Sequence, residues 1–179
     1  KSKSAGAVYA GPVLYKVIGN GADLKIADKT TAIADNAVNN AAVKNVTIPA
    51  TVKVIGAYAF ANSGIVEIVI PNSVTTIGNN AFENAKALKK VTLSNALETM
   101  GKALFKNCAS LASIKIPATI KNLPVDTFLN CAALAKVDLG SVETIGKYAF
   151  SNCAGLITIT LPATLTELDP MSFYGCKAL

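Results

Sequence analysis

A chain of 179 residues with 51 % apolar, 16 % charged and 6 % aromatic residues holds enough core material for one domain, which excludes a disordered or strongly solvated protein. Its formal net charge of +6 comes from 17 basic residues, all Lys, against 11 acidic ones, with no His, Arg or Trp. Without Arg, the bidentate reader of phosphate and guanine edges, no nucleic-acid partner is expected; without His, the Ser-His and Cys-His nucleophile pairs are excluded.

In chain order, Lys1-Ser2-Lys3-Ser4 reads as a polar tether, like the start of a processed secreted protein. Ala5 to Leu14 is too short, and too broken by Gly and Pro, for a full signal peptide. No stretch approaches 18 consecutive apolar residues, so no membrane insertion is expected of this segment. Val13 to Ile18, Gly19-Asn20-Gly21 and Leu24 to Ile26 together read as a hairpin. Residues 1–23 are therefore expected to be a tether and a hairpin that caps residues 24–179, a repeat array whose last unit is incomplete.

From Leu24 onward one unit of 22–23 residues recurs seven times. All six Phe residues keep that spacing: Phe60, Phe82, Phe105, Phe128, Phe150 and Phe173. Val38 takes the Phe position in the first copy. A period of this size marks a solenoid, in which each repeat buries its apolar face only against its neighbours. Each unit begins with an apolar–variable–apolar strand: Leu24-Lys25-Ile26, Val46-Thr47-Ile48, Ile68-Val69-Ile70, Val91-Thr92-Leu93, Ile114-Lys115-Ile116, Val137-Asp138-Leu139 and Ile159-Thr160-Leu161. Pro49, Pro71, Pro117 and Pro162 then stop the ladder, because Pro has no N–H to donate. A second apolar pair follows, such as Val52/Ile55 or Val74/Ile77, and then a corner Gly at Gly56, Gly78, Gly101 and Gly146, where a positive φ is an option. Pro124 and Asp169 stand at that corner in two copies. A short helical or 3₁₀ turn is expected to lead to the Phe.

Asn stands two residues after the Phe position in six copies: Asn40, Asn62, Asn84, Asn107, Asn130 and Asn152, with Gly175 in the last. Asn and Gly both tolerate the left-handed conformation, so a turn role is expected, with a hydrogen-bonded Asn ladder as the alternative. Cys108, Cys131, Cys153 and Cys176 each follow a Phe by three residues. This spacing fits no zinc pattern, so inert core packing is expected, with a disulfide between adjacent coils as the alternative. No metal and no cofactor are expected. No phosphate-binding loop or paired-carboxylate pattern is present, so the chain is not expected to be an enzyme.

The segments Leu88-x-x-Val91-x-Leu93 and Leu111-x-x-Ile114-x-Ile116 fit the core of a leucine-rich repeat. Ile70-Pro71-Asn72-Ser73-Val74-Thr75-Thr76-Ile77-Gly78-Asn79-Asn80-Ala81-Phe82 resembles, almost letter for letter, the unit of the BspA-like (treponemal-type) leucine-rich repeat family. Ser63 and Ala85 depart from it at the Cys position, and Leu104 replaces Ala before Phe105. The resemblance implies a right-handed leucine-rich-repeat solenoid, rich in strand and turn. It also implies a secreted or surface-anchored protein of a bacterium or protozoan parasite, adhering to host matrix proteins, host cells or other microbes.

A solenoid's natural binding surface is its concave sheet, whose outward residues are Lys25, Asn45, Thr47, Glu67, Val69, Lys90, Thr92, Ser113, Lys115, Lys136, Asp138, Thr158 and Thr160, headed by Asp23. Four Lys against three acids make that row nearly neutral. Tyr58, Tyr148 and Tyr174, beside the Phe positions, line an edge or mark a second surface. The expected partner is a protein, with this chain a monomer or an end-to-end dimer. Two other readings stand beside adhesion: a spacer that projects another domain, and a recognition module fused to an enzyme outside this segment.

Overall fold

The structure is a computed structural model and describes residues 6–19 and 21–179. The expected tether at Lys1 to Ser4 and residue Asn20 of the expected turn lie outside the described residues. The described chain winds through about seven turns of strand and turn, and no helix occurs among the described residues. The strands are β1 (Gly6–Ala10), β2 (Val13–Ile18), β3 (Asp23–Lys25), β4 (Ala32–Ile33), β5 (Asn45–Thr47), β6 (Val54–Ile55), β7 (Glu67–Val69) and β8 (Thr76–Ile77). They continue as β9 (Lys90–Thr92), β10 (Thr99–Met100), β11 (Ser113–Lys115), β12 (Asn122–Leu123), β13 (Lys136–Asp138), β14 (Thr144–Ile145) and β15 (Glu167–Leu168).

Each of the first six coils contributes one strand to each of two parallel ladders, and the last coil contributes only to the second. The first sheet runs β13-β11-β9-β7-β5-β3 and carries the expected period-2 pattern, with the central residue turned inward. The second sheet, order β1-β2-β4-β6-β8-β10, takes in the second member of each apolar pair that follows a turn, as Ile55, Ile77 and Met100. Its rungs from β4 to β10 are two-residue strands, too short for periodicity to reveal. A separate three-stranded sheet, β12-β14-β15, continues it.

Two cross-coil bonds are missing where those sheets break. The Glu98 carbonyl accepts from neither Lys121 nor Asn122, whereas the Lys121 carbonyl accepts from both Glu143 and Thr144, and the second missing bond lies at Pro124. At each ordinary corner the Gly N–H donates to the preceding coil: Gly56 to Ile33, Gly78 to Ile55, Gly101 to Ile77 and Gly146 to Leu123, over 2.8–2.9 Å. Pro124 occupies this corner in the coil between, and having no N–H it leaves the Met100 carbonyl without that partner.

The corner glycines are not in the positive-φ region. Their reason is close approach between coils: a Cβ on Gly78 would meet the Ala57 backbone nitrogen at 2.6 Å, and one on Gly146 the Val125 nitrogen at 2.8 Å. The segment leading to each Phe is also not helical. Alternate N–H groups leave the local turn and donate across coils, as Asn36 to Ala57, Val38 to Ala59 and Asn40 to Ala61. Residues two before the Phe position take the left-handed conformation, among them Asn36, Tyr58, Asn80, Ala103, Asp126 and Tyr148 at φ 53–59°. This prevents a continuous helix.

The core lies between the sheets and this Phe ladder. The six Phe rings stack in one column with centroids 5.1–5.6 Å apart and interplanar angles of 3–18°. Five of the rings are fully buried, as is Val38 at the head of the column. Leu88, Leu111, Leu134 and Leu156 form a second buried column.

Both ends differ from expectation. The hairpin is formed by β1 and β2 across Gly11-Pro12, not by β2 and β3. Strand β2 pairs in parallel with β4, Val13 opposite Ala32 and Leu14 opposite Ile33, so the hairpin is the first rung of the second sheet. The Tyr9 hydroxyl ties it to the first coil by accepting from the Ala27 N–H at 2.9 Å. At the other end, Ile159-Thr160-Leu161 forms no strand, and no backbone bond joins residues 157–161 to β13. This stretch packs on one side only, leaving Ile157 70 % and Leu161 42 % exposed, and the burial that holds the other strands in place is missing.

Candidate protein-interaction face

The outward residues of the first sheet stand in two columns, because parallel strands in register place equivalent residues side by side. The first column is Asp23, Asn45, Glu67, Lys90, Ser113 and Lys136. The second is Lys25, Thr47, Val69, Thr92, Lys115 and Asp138. All twelve are exposed. Thr158 and Thr160 are exposed as well, but they lie beyond the last paired strand and are not members of the sheet.

Charge along this face is not evenly mixed. The acids Asp23 and Glu67 lie in the first column of the early coils, whereas Lys90 and Lys136 hold that column in the later ones. Asn45 donates from Nδ2 to Asp23 Oδ1 at 2.7 Å, and Lys115 pairs with Asp138 at 3.7 Å. Both partners of that ion pair are well exposed, so it orients charge more than it stabilises the fold.

Two seams interrupt the ladder. Strands β3/β5, β7/β9 and β11/β13 pair over three residues, but β5/β7 pair only at Asn45–Glu67 and β9/β11 only at Lys90–Ser113. Beyond those rungs the strands part. The β5/β7 seam opens a cavity of about 510 Å³ lined by Val46, Ile48, Ile68, Val69 and Pro71, with Glu67 at its edge. Val69 is 64 % exposed there. At β9–β11–β13 a second depression, about 310 Å³, lies among Lys90, Ser113, Lys115, Lys136 and Asp138. Neither seam has a signature in the repeat pattern, because the residues that would pair obey the same alternation as their neighbours.

The Asn and Cys columns are structural. Asn40, Asn62, Asn84, Asn107, Asn130 and Asn152 all take φ 54–62°, and Gly175 takes 76°. The Asn side chains also bond from coil to coil, Asn107 to Asn84, Asn130 to Asn107 and Asn152 to Asn130, at 2.8–3.0 Å, so turn and ladder coexist. Each Cys thiol donates to a Phe carbonyl in the preceding coil, Cys108 to Phe82 and Cys131 to Phe105 at 3.1 Å. All four are free thiols. Burial pushes the Cys108 thiol up to about 12 and raises Cys131 and Cys153 as well, each still a neutral donor at pH 7. Ser63, at the Cys position one coil before Ala85, is buried with its hydroxyl unpartnered. Among the described residues no group of three His, Cys, Asp or Glu side chains could hold a metal, and no helix is long and apolar enough to cross a membrane. Tyr58 and Tyr174 are exposed, and Tyr148 lies under the Lys147 ammonium at 4.9 Å.

The sequence matches the family model described as the BspA type leucine rich repeat region, six copies covering residues 14–135 and 53–179. No curated protein matches it. Among solved structures, a leucine-rich repeat protein from Bacteroides ovatus is similar at 29 % identity and a TM-score of 0.75, over 89 % of this chain and 48 % of that one. This chain therefore spans about half the length of that protein. The Treponema pallidum leucine-rich repeat protein shares the fold at 22 % identity and a TM-score of 0.70, over 80 % of this chain and 82 % of its own. The pneumococcal vaccine antigen PcpA does so at 20 % identity and a TM-score of 0.51, over 92 % and 57 %. The fold is thus a leucine-rich-repeat solenoid, a scaffold of the non-enzymatic repeat kind.

Proposed function

We propose for this chain, which belongs to the BspA-type leucine-rich repeat family, the role of a non-enzymatic interaction module in a secreted or cell-surface protein, adhering to host or microbial proteins through the outward face of its first sheet. The observation that carries this reading is the pair of exposed columns from Asp23 to Asp138, held in register by a continuous core. A rigid row of side chains loses little conformational entropy on binding, and repetition lets several weak contacts act together. Lys, Thr, Glu and Asp dominate it, so single contacts are modest and complementarity along the row provides specificity.

The test is binding of the purified chain to immobilised fibronectin, fibrinogen and intact bacterial cells, followed by interferometry. Saturable binding to one of these supports adhesion. No saturable binding to any of them contradicts it and favours a spacer that projects another domain. Copies of this chain also have a surface through which to associate, since Ile157, Leu161, Leu168 and Leu179 are exposed in the last coil. Light scattering at millimolar concentration tests that association, and a persistent monomer argues against it.

A further inference from the structure

We infer that the later half of this face holds a carboxylate-binding subsite formed by Lys90, Ser113 and Lys136, and that its occupant is an acidic protein segment carrying an apolar residue that reaches the β5/β7 seam. The inference rests on the proposed protein-binding role and specifies the chemistry of the partner.

Ser113 is in register with Lys90 on one side and Lys136 on the other. At the usual strand spacing the two Lys backbones stand about 9.6 Å apart, straddling one small side chain. The depression of about 310 Å³ lies at this point, where two long side chains flank a short one. Lys115, on the same strand and face as Ser113, brings a third ammonium group. Facing these three cations are two acids. Asp138 is engaged by Lys115 at 3.7 Å, and Glu67 stands opposite Lys90 across β7/β9. Among the described residues neither Lys90 nor Lys136 forms an ion pair. One positive charge is therefore in excess over the cluster, and the Ser113 hydroxyl lies beside it as a hydrogen-bond donor.

The surroundings favour a protein over a polyanion. A sulfated glycan or nucleic acid would lay uniform negative charge against Glu67 and Asp138, and would bring nothing apolar to the neighbouring seam. That seam exposes Val69 beside Val46 and Ile68. Two strand steps and two residues separate Val69 from Ser113, a diagonal of about 12 Å, or three to four residues of extended peptide. A segment with an apolar side chain and a carboxylate at that interval reaches both points.

The test uses the intact chain and three probes: a fluorescein-labelled peptide Leu-Gly-Gly-Asp-Asp-Gly, its Leu-Gly-Gly-Asn-Asn-Gly counterpart, and a heparin hexasaccharide. Anisotropy is expected to show the Asp peptide bound about tenfold more tightly than the Asn peptide, the difference two exposed charge contacts can supply. That preference disappears in the Lys90→Gln/Lys136→Gln double variant and survives in Lys25→Gln, at the far end of the same face. Equal binding of both peptides overturns the inference, as does a preference that survives the double variant, or heparin displacing the peptide and binding more tightly. A chain that binds fibronectin or fibrinogen through this face without any carboxylate preference loses this inference alone. A chain that binds neither peptide nor matrix protein loses the wider reading too.

Discussion

Asn107 donates from its Nδ2 to the Oδ1 of Asn84, one coil earlier, over 2.8 Å, while both backbones sit in the left-handed region at φ 62° and 58°. One residue type thus serves two purposes: it tolerates a backbone that most side chains resist, and it ties that turn to the turn beneath. The two contributions can be separated by substitution. Asn107→Gly keeps the backbone and loses the side-chain bonds to Asn84 and Asn130, whereas Asn107→Ala loses both. Urea unfolding is expected to find the Ala variant the less stable by about 1 kcal/mol, the strain of a Cβ at positive φ. Equal stability of the two variants would remove the backbone role.

The Phe rings are the largest fully buried side chains in the core. Phe105 stacks between Phe82 at 5.4 Å and Phe128 at 5.6 Å and is fully buried. Phe105→Ala is expected to lower stability by about 3–5 kcal/mol. Phe173→Ala, at the half-buried end of the column with one neighbour, is expected to lower it by clearly less. Denaturant titration of both variants measures the difference.

Pro124 accounts for one of the two cross-coil bonds missing between β10 and β12. Pro124→Ala keeps a Cβ at the corner and restores the N–H that Met100 O lacks. Hydrogen exchange should then show the new amide at position 124 protected to the level of the Gly101 and Gly146 amides, which already donate across coils. A fast-exchanging amide there would mean that the bond missing at this corner has another cause. Net stability should move little, because the regained hydrogen bond is offset by a more flexible unfolded chain.

The thiol column predicts an alkaline limit to stability. Cys108 keeps its proton up to about 12 in the folded chain, against an ordinary value of 9.0. Burial is the leading cause, and Glu83 adds to it. A raised folded value means the unfolded chain releases its proton first. The contribution is therefore whole below pH 9.0 and is lost as pH rises from there toward 12. Unfolding midpoints measured across that window should fall steadily, and Cys108→Ala should flatten the fall. At pH 8 the buried thiols should react with a thiol reagent only as fast as the chain opens.

Much of this architecture was legible because the repeat leaves a chemical mark at nearly every buried position. The Phe spacing located the core column, and the apolar–variable–apolar triplets located six strands of the first sheet within one residue. The outward positions followed from the same alternation. What stayed hidden depends on relations between coils. The strands of the second sheet from β4 onward are two residues long, below the length at which alternation is a signal. Gly6–Ala10, with a Gly and two Ala in five residues, is a weak strand sequence beside Val13–Ile18, while the Gly19-Asn20-Gly21 stretch has the stronger hairpin composition. The left-handed residues before each Phe include Tyr58, Ala103 and Asp126, which share no side-chain chemistry. Pro124 was visible as a departure from Gly, but its effect follows only from knowing that Met100 O is its partner. The seams at β5/β7 and β9/β11 left no trace in the pattern, so the outward row read as uniform and nearly neutral when it is graded and partly open.

The most direct test of the account compares two surface variants in the same binding assay. One changes Glu67, Lys90, Lys115, Lys136 and Asp138 to Ser on the first sheet. The other changes Lys53, Glu98 and Lys121 to Ser, all exposed along the second sheet and its three-stranded continuation. With a matrix protein or cell surface bound by the parent chain, the first variant is expected to lose about tenfold or more in affinity and the second to bind as the parent does. Loss confined to the second variant, or full binding by both, would contradict the assignment of the interaction to the outward face of the first sheet.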